Sequence, residues 1–128
     1  MLEPFVSDDY IGVSAQTNGN DLQQQMKARG HTEAYVITAS GLLLGKLNIY
    51  MAIDAGENAV GDFMDRRPMT LYTDEPLDAA MLKVSQFVGE SLPVINKAST
   101  KLHGSIAEGA LFQAVIDVQN QARNLERT

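Results

Sequence analysis

The chain has 128 residues and a mass of 13.9 kDa, and 45% of its residues are hydrophobic, so it can bury the core of one compact domain or of two small halves. Its net charge of −6 makes nucleic acid a poor partner, because an acidic surface repels phosphate. The absence of cysteine excludes thiol catalysis, disulfides and cysteine-ligated zinc. No apolar run approaches the roughly 20 residues that span a bilayer, so we expect no direct insertion into a membrane.

The first half of the sequence predicts five elements. A strand over Tyr10–Ala15 is followed by a helix over Gly19–Arg29, whose pattern is only weakly apolar. Two β-rich runs, Glu33–Thr38 and Leu42–Leu47, are separated by a turn and predict a hairpin. A short helix then continues to about Ala55, which gives the order β-α-β-β-α.

The second half predicts the same order. A short strand over Met69–Tyr72 precedes an amphipathic helix. The apolar residues of this helix recur at three- and four-residue spacing and are Leu77, Ala80, Met81, Val84, Phe87 and Val88. Strands over Ser91–Asn96 and Leu102–Ile106 follow, and a last helix begins near Glu108.

Matches between the halves indicate an internal repeat. Val36 corresponds to Val94, 58 residues later, and Gly45 corresponds to Gly104, 59 residues later, because the second turn is one residue longer. This arrangement predicts an α+β fold made of two β-α-β-β-α repeats. The boundaries that we expect are 9–56 for the first repeat, 57–117 for the second repeat and 118–128 for an extended C-terminal helix.

The repeated segments resemble those of a known family. The runs "EAYVIT" and "LLLGKLNIYMAI" in the first half, with "MTLYTDEPLDAAM", "SLPVIN" and "LHGSIAEGALFQAV" in the second, resemble a tandem pair of cystathionine-β-synthase (CBS) domains, often called a Bateman module. The run "FVGESLPVIN" followed by a long terminal helix most resembles the cytoplasmic tails of bacterial ClC chloride channels and transporters.

The resemblance implies that the two repeats pack around a pseudo-twofold axis and leave two clefts between them. It also implies a regulatory domain rather than an enzyme, which forms a homodimer and lies on the cytoplasmic side of the inner membrane as part of a chloride channel or transporter. Two alternatives stay open. One is a standalone adenine-nucleotide sensor, and the other is a cation-sensing module of a magnesium transporter.

In this family the pattern Gly-x-x-Thr-x-x-Asp binds the ribose of an adenosine compound, because a carboxylate can accept hydrogen bonds from two adjacent hydroxyls. Counted from Gly45, the threonine place is taken by Asn48 and the aspartate place by Met51. The second repeat has Ala107 and Ala110 at these places. Neither cleft therefore retains the carboxylate, so we assign no certain cofactor and expect weak or absent binding of adenine nucleotides.

The other cleft candidates that the resemblance implies are Val13, Arg66, Arg67, Thr70, Tyr72 and Pro93. The two arginines could contact phosphate, but we favour a solvated pair that neutralises Asp62 and Asp65. His31 and His103 lie beside turns and are expected at the surface, and no group of residues has the spacing of metal ligands. The sequence shows no catalytic constellation.

The last helix carries an apolar stripe in which residues alternate by four and three, namely Leu111, Val115, Val118, Ala122 and Leu125. Packing on the core of the same chain explains the first of these positions. The stretch after residue 117 is polar apart from the stripe. We therefore expect that stretch to contact a second chain or the rest of a longer protein.

Overall fold

A computed structural model describes residues 2–84, 86 and 91–126. Over these residues the fold is α+β, with two three-stranded sheets and four α-helices. The predicted helix positions Phe87 and Val88 lie outside the described residues, as do the side chains of Val115 and Leu125. None of the described helices is long and apolar enough to cross a membrane.

The first repeat forms one sheet and two helices. Strand β1 (Gly12–Val13) runs parallel to β2 (Glu33–Ile37), which pairs antiparallel with β3 (Leu43–Asn48). Helix α1 (Gly19–Arg29) connects β1 to β2, and helix α2 (Ile49–Ala55) follows β3. The predicted β-α-β-β-α order is confirmed.

The second repeat has the same topology. Strand β4 (Leu71–Tyr72) runs parallel to β5 (Ser91–Ile95), which pairs antiparallel with β6 (Leu102–Ala107). Helix α3 (Leu77–Val84) lies between β4 and β5 in the chain, and helix α4 (Glu108–Glu126) follows β6.

The first strand of each repeat is shorter than the sequence predicted. The predicted strand Tyr10–Ala15 contributes only Gly12 and Val13 to the sheet, and Met69–Tyr72 contributes only its last two residues. Ile11, next to β1, is nonetheless buried. An apolar run therefore predicts burial correctly, whereas membership of a strand also requires a partner backbone within hydrogen-bonding distance.

Asparagine side chains begin both helices of the first repeat. Asn18 Oδ1 accepts a hydrogen bond from the Asp21 N–H at 2.8 Å, and Asn48 Oδ1 accepts one from the Met51 N–H at 3.0 Å. Helix α1 ends at Gly30, whose φ of 69° is left-handed. The Asn48 cap starts α2 directly after β3.

Each repeat has its own apolar core. The buried residues of the first core are Ile11, Val13, Leu22, Met26, Ala34, Val36, Leu47, Ala52, Ala55 and Val60. Those of the second core are Leu2, Leu71, Ala80, Val84, Leu92, Val94, Ile106 and Leu111. Among the described residues the two cores share no member, so the repeats meet through other contacts.

A short 3₁₀ helix precedes each repeat and packs on the other one. The helix Glu3–Phe5 comes before β1 but contacts α4, and the neighbouring Leu2 is fully buried in the second core. The helix Val60–Asp62 comes before β4, and its Val60 is fully buried in the first core. The chain therefore crosses between the repeats at residues 8–10 and again at residues 65–70.

Two glycines allow these crossing segments to lie against the sheets. A Cβ atom on Gly45 would lie 2.6 Å from the carbonyl oxygen of Asp65, and one on Gly104 would lie 2.5 Å from the carbonyl oxygen of Ser7. Such distances are too short for any side chain. This close approach explains why both repeats have glycine at this position.

Candidate functional site

Equivalent residues of the two repeats meet at two places. Glu33 and Ser91, which are 58 residues apart, are hydrogen bonded, and Leu42 and Lys101, which are 59 apart, form an antiparallel bridge. A residue can contact its own equivalent only near a twofold axis. The contacts therefore place the expected pseudo-twofold axis between the repeats.

Two clefts lie between the repeats. The first has a volume of about 260 Å³ and is lined by Glu33, Lys46, Leu47, Asn48, Met51, Asp65, Pro68, Met69 and Gln86. The second has a volume of about 270 Å³ and is lined by Ser7, Asp9, Tyr10, His31, Glu33, Tyr35, Ser91, Ser105 and Ala107. The residues exchanged by the axis are Lys46 with Ser105, Asn48 with Ala107, Asp65 with Ser7 and Pro68 with Tyr10. The clefts are thus equivalent in position and different in chemistry.

The four ribose places are divided between the clefts. Asn48 and Met51 line the first cleft, but the Asn48 side-chain oxygen is engaged in capping α2, and Met51 packs on the first core. Ala107 lines the second cleft, and Ala110 is exposed on α4. The side-chain amide of Asn48 is therefore the one polar group left at these places.

The two arginines do not join the clefts. Arg66 and Arg67 are exposed and fall outside the described lining of both. Arg66 Nη2 donates to the carbonyl oxygen of Gly61 at 3.2 Å, and the Arg67 N–H donates to Asp65 Oδ1 at 2.9 Å. A phosphate in either cleft would meet neither guanidinium in this conformation.

The remaining predicted cleft residues are also not among those described as lining the two clefts. Val13 is buried in the first core, and Pro93 is buried in β5. Thr70 Oγ1 donates to the carbonyl oxygen of Pro68 at 2.9 Å. The ring of Tyr72 has two lysine ammonium groups over it, at 4.7 and 5.5 Å from the ring centroid.

Sequence reasoning missed the side chains that meet at the axis, which are Glu33, Tyr35, Lys46 and Ser91 and which we call the axial cluster. Lys46 Nζ lies 3.0 Å from Glu33 Oε2, and the two side chains are only 11% and 13% exposed. The Ser91 N–H and hydroxyl donate to Glu33 Oε1 at 2.9 and 3.1 Å. Lys46 Nζ donates to the Ser91 carbonyl at 2.6 Å, and the Tyr35 hydroxyl lies 2.6 Å from Ser91 Oγ. The sequence feature that could have indicated this cluster is Lys46, a lysine in an otherwise apolar predicted strand.

Electrostatics differ between the axis and the mouth of the second cleft. Burial raises the pKa of Tyr35 far above its ordinary value, so its hydroxyl stays protonated. Asp9 Oδ1 lies 3.1 Å from His31 Nε2 and 3.0 Å from Arg29 Nη2, and these contacts hold the pKa of Asp9 below its usual value. His31 is thus a half-buried cleft residue, contrary to expectation, whereas His103 is exposed. Within the described part of the chain, no group of three or more histidine, aspartate or glutamate side chains could hold a metal ion.

Solved structures with the same fold are CBS-domain proteins. The chain is 23% identical to OpuCA of Staphylococcus aureus over 88% of this chain and 97% of that one, with a TM-score of 0.76. It is 18% identical to the CBS-pair protein CBSX2 from Arabidopsis thaliana over 93% and 96% of the two chains, with a TM-score of 0.80. The cytosolic domain of the Mg²⁺ channel MgtE, solved in complex with ATP, is 16% identical over 86% of this chain and 46% of its own, with a TM-score of 0.77.

Sequence comparison alone finds no such relative. No protein-family model matches the sequence, and no curated protein is significantly similar to it. The structural similarity therefore rests on the doubled topology and its axis, and it identifies the fold of this chain as that of a tandem CBS-domain pair.

Proposed function

We propose that this chain is a non-enzymatic regulatory CBS-pair module of a membrane channel or transporter, facing the cytoplasm. A bacterial chloride channel or transporter is the parent that we favour, on the resemblance of "FVGESLPVIN" and the long terminal helix to such tails. The fold supports a role attached to transport, since one similar structure is the cytosolic domain of a magnesium channel.

The observation that carries this proposal is a pair of clefts that have no carboxylate at the ribose places and whose described cations are already paired with carboxylates. Glu33 borders both clefts, with Asp65 added in the first and Asp9 in the second. Lys46 is paired with Glu33 at 3.0 Å in the first cleft, and Arg29 and His31 are paired with Asp9 at the second. A polyphosphate would have to compete with these carboxylates for the cations. The module is therefore suited to transmit a change in the relative position of its two repeats to the channel or transporter, or to sense a ligand other than a nucleotide.

A standalone adenine-nucleotide sensor is the second candidate. One structure of CBSX2 is a complex with AMP, and it matches 92% of this chain with a TM-score of 0.79. The first cleft keeps a volume of about 260 Å³ and the Asn48 amide at its edge. That amide can donate one hydrogen bond to a ribose hydroxyl, which is the contact on which this candidate depends.

Calorimetry with AMP, ADP and ATP distinguishes the two candidates. We expect weak or absent binding, because losing a charge-assisted hydrogen bond removes about 1.5–3 kcal/mol, or roughly tenfold to a hundredfold in affinity. The matched variant is Ala107→Thr with Ala110→Asp, which rebuilds the ribose pattern at two exposed positions. It should bind AMP at least about tenfold more tightly than the natural chain. Micromolar binding of ATP by the natural chain would support the sensor instead.

Two further observations distinguish the kinds of longer protein to which the module could belong. A multi-helix membrane segment encoded upstream of Met1 supports the channel or transporter. A saturable rise in unfolding temperature with millimolar MgCl₂ would favour the magnesium-sensing alternative, because a cation that binds only the folded state stabilises it.

A further inference from the structure

The axial cluster joins two halves that otherwise have separate cores. Ser91 belongs to the second repeat, and its N–H, carbonyl and hydroxyl groups all contact side chains of the first repeat. Those side chains are Glu33, Lys46 and Tyr35. The first residue of β5 is therefore held through its backbone as well as through its side chain.

The cluster is possible only because the repeats differ in sequence here. On a twofold axis a residue faces its own equivalent, so a glutamate in both repeats would bring two carboxylates together. The equivalent of Glu33 is Ser91, and the equivalent of Lys46 is Ser105. A charged pair in one repeat thus meets hydroxyl groups in the other, and like charges are avoided.

Because of its position, the axial cluster would be disturbed by movement of either repeat. Its ion pair is largely buried, and removing one partner from a buried pair is strongly destabilising because the other charge is left uncompensated. Glu33 also borders both clefts. A shift of either repeat would therefore disturb the same carboxylate, and so would a group that enters either cleft.

We propose that the axial cluster is a built-in latch that sets the relative position of the two repeats without a bound ligand. Glu33 and Lys46 form an ion pair within the first repeat, and together they hold Ser91 of the second repeat through hydrogen bonds that cross the axis. The latch also couples the clefts, because displacement of Glu33 from one side changes the wall of the other. It operates whichever ligand or parent protein the module serves.

Native-state hydrogen exchange on the full chain tests the latch. Two amides report on the joint, because the Leu102 N–H donates to the Gly41 carbonyl and the Leu43 N–H donates to the Thr100 carbonyl, at 2.9 and 3.1 Å across the repeats. In Lys46→Met we expect both amides to exchange about tenfold faster, since the joint then opens without global unfolding.

The matched control is Lys83→Met, which breaks an ion pair with Glu75 inside the second repeat. It should leave Leu43 and Leu102 close to their natural exchange rates. Natural protection of both amides in Lys46→Met would overturn the proposal. So would an equal loss of protection in Lys46→Met and in the control.

A double variant keeps the test decisive if Lys46→Met fails to fold. Glu33→Gln with Lys46→Met removes both charges, so no lone buried charge remains. We expect this variant to recover stability while Leu43 and Leu102 still exchange faster than in the natural chain. Natural exchange rates at both amides in the folded double variant would show that the pair does not hold the joint.

Discussion

At the scale of single residues, Gly41 and Thr100 show how the two hairpin turns were adapted to face each other. They are 59 residues apart and hold the same left-handed conformation, with φ values of 88° and 59°. The carbonyl of each accepts a hydrogen bond from the other repeat. The second turn thus accepts a strained threonine where the first has glycine, because the contact across the axis requires that backbone shape.

This pair supports a prediction of stability. Thr100→Gly should raise the free energy of unfolding by about 0.5 kcal/mol, because it relieves a strain of roughly 1–2 kcal/mol and loses part of that gain to the greater freedom of unfolded glycine. Gly41→Ala should lower it by about 1 kcal/mol, and a Cβ there meets no atom within 4 Å, so no clash adds to the effect. Urea denaturation measures both. Changes of the same sign in the two variants would contradict this account.

At the scale of elements, α4 divides into a packed part and an exposed part. Leu111 and Ala114 are buried, whereas Val118 and Ala122 are exposed. The core role expected for the start of the stripe is therefore met at Leu111. An isolated helix as short as the exposed part, residues 118–126, is marginal in water, so this part gains most from a partner.

We expect deletion of residues 118–128 to change the free energy of unfolding of the monomer by no more than about 0.5 kcal/mol, because the described side chains that it removes are exposed. The same deletion should shift a dimer toward monomer if the stripe forms a seam between chains. Urea denaturation and light scattering measure the two effects. The matched controls are Val118→Gln with Ala122→Gln on the stripe, and Gln119→Ala with Asn120→Ala off it. A large loss of stability without dissociation would contradict the seam.

At the scale of the whole molecule, large apolar side chains remain exposed on three helices. Tyr50 and Ile53 lie on α2, Leu82 on α3 and Phe112 on α4, with exposures of 74%, 53%, 69% and 51%. Contiguous exposed apolar surface marks an interaction site, and Tyr50 and Ile53, which are three residues apart, lie on the same face of α2. A second copy of the chain would cover these positions symmetrically.

We therefore predict a homodimer. Light scattering at micromolar concentration should report about twice the chain mass of 13.9 kDa. The variant Leu82→Gln with Phe112→Gln should lower this mass, while Asp54→Asn, which changes an exposed polar residue, should not. A monomer that persists at high protein concentration would contradict the prediction.

The architecture was predictable from the internal repeat. The spacing of 58 to 59 residues between matching segments established two equivalent repeats, because like segments form like elements. It also identified the glycines, Gly45 and Gly104, and the family resemblance predicted that neither repeat has the ribose carboxylate, because that depends only on the residue type at a counted position. Helix starts and strand order were predictable from local patterns, whereas strand lengths were not, because pairing depends on a distant backbone.

The residues that meet at the axis could not be predicted without knowing how the two halves pack. Glu33 and Ser91 meet because two halves pack face to face, and no local pattern marks residues 58 positions apart as partners. The same holds for Leu2, which fills the core of the second repeat although it precedes the first. The crossing of the chain between repeats and the hydrogen bonds of Ser91 to Glu33 and Lys46 follow from how two similar surfaces fit together. That fit depends on burial and charge across an interface, which the sequence of either half does not encode alone.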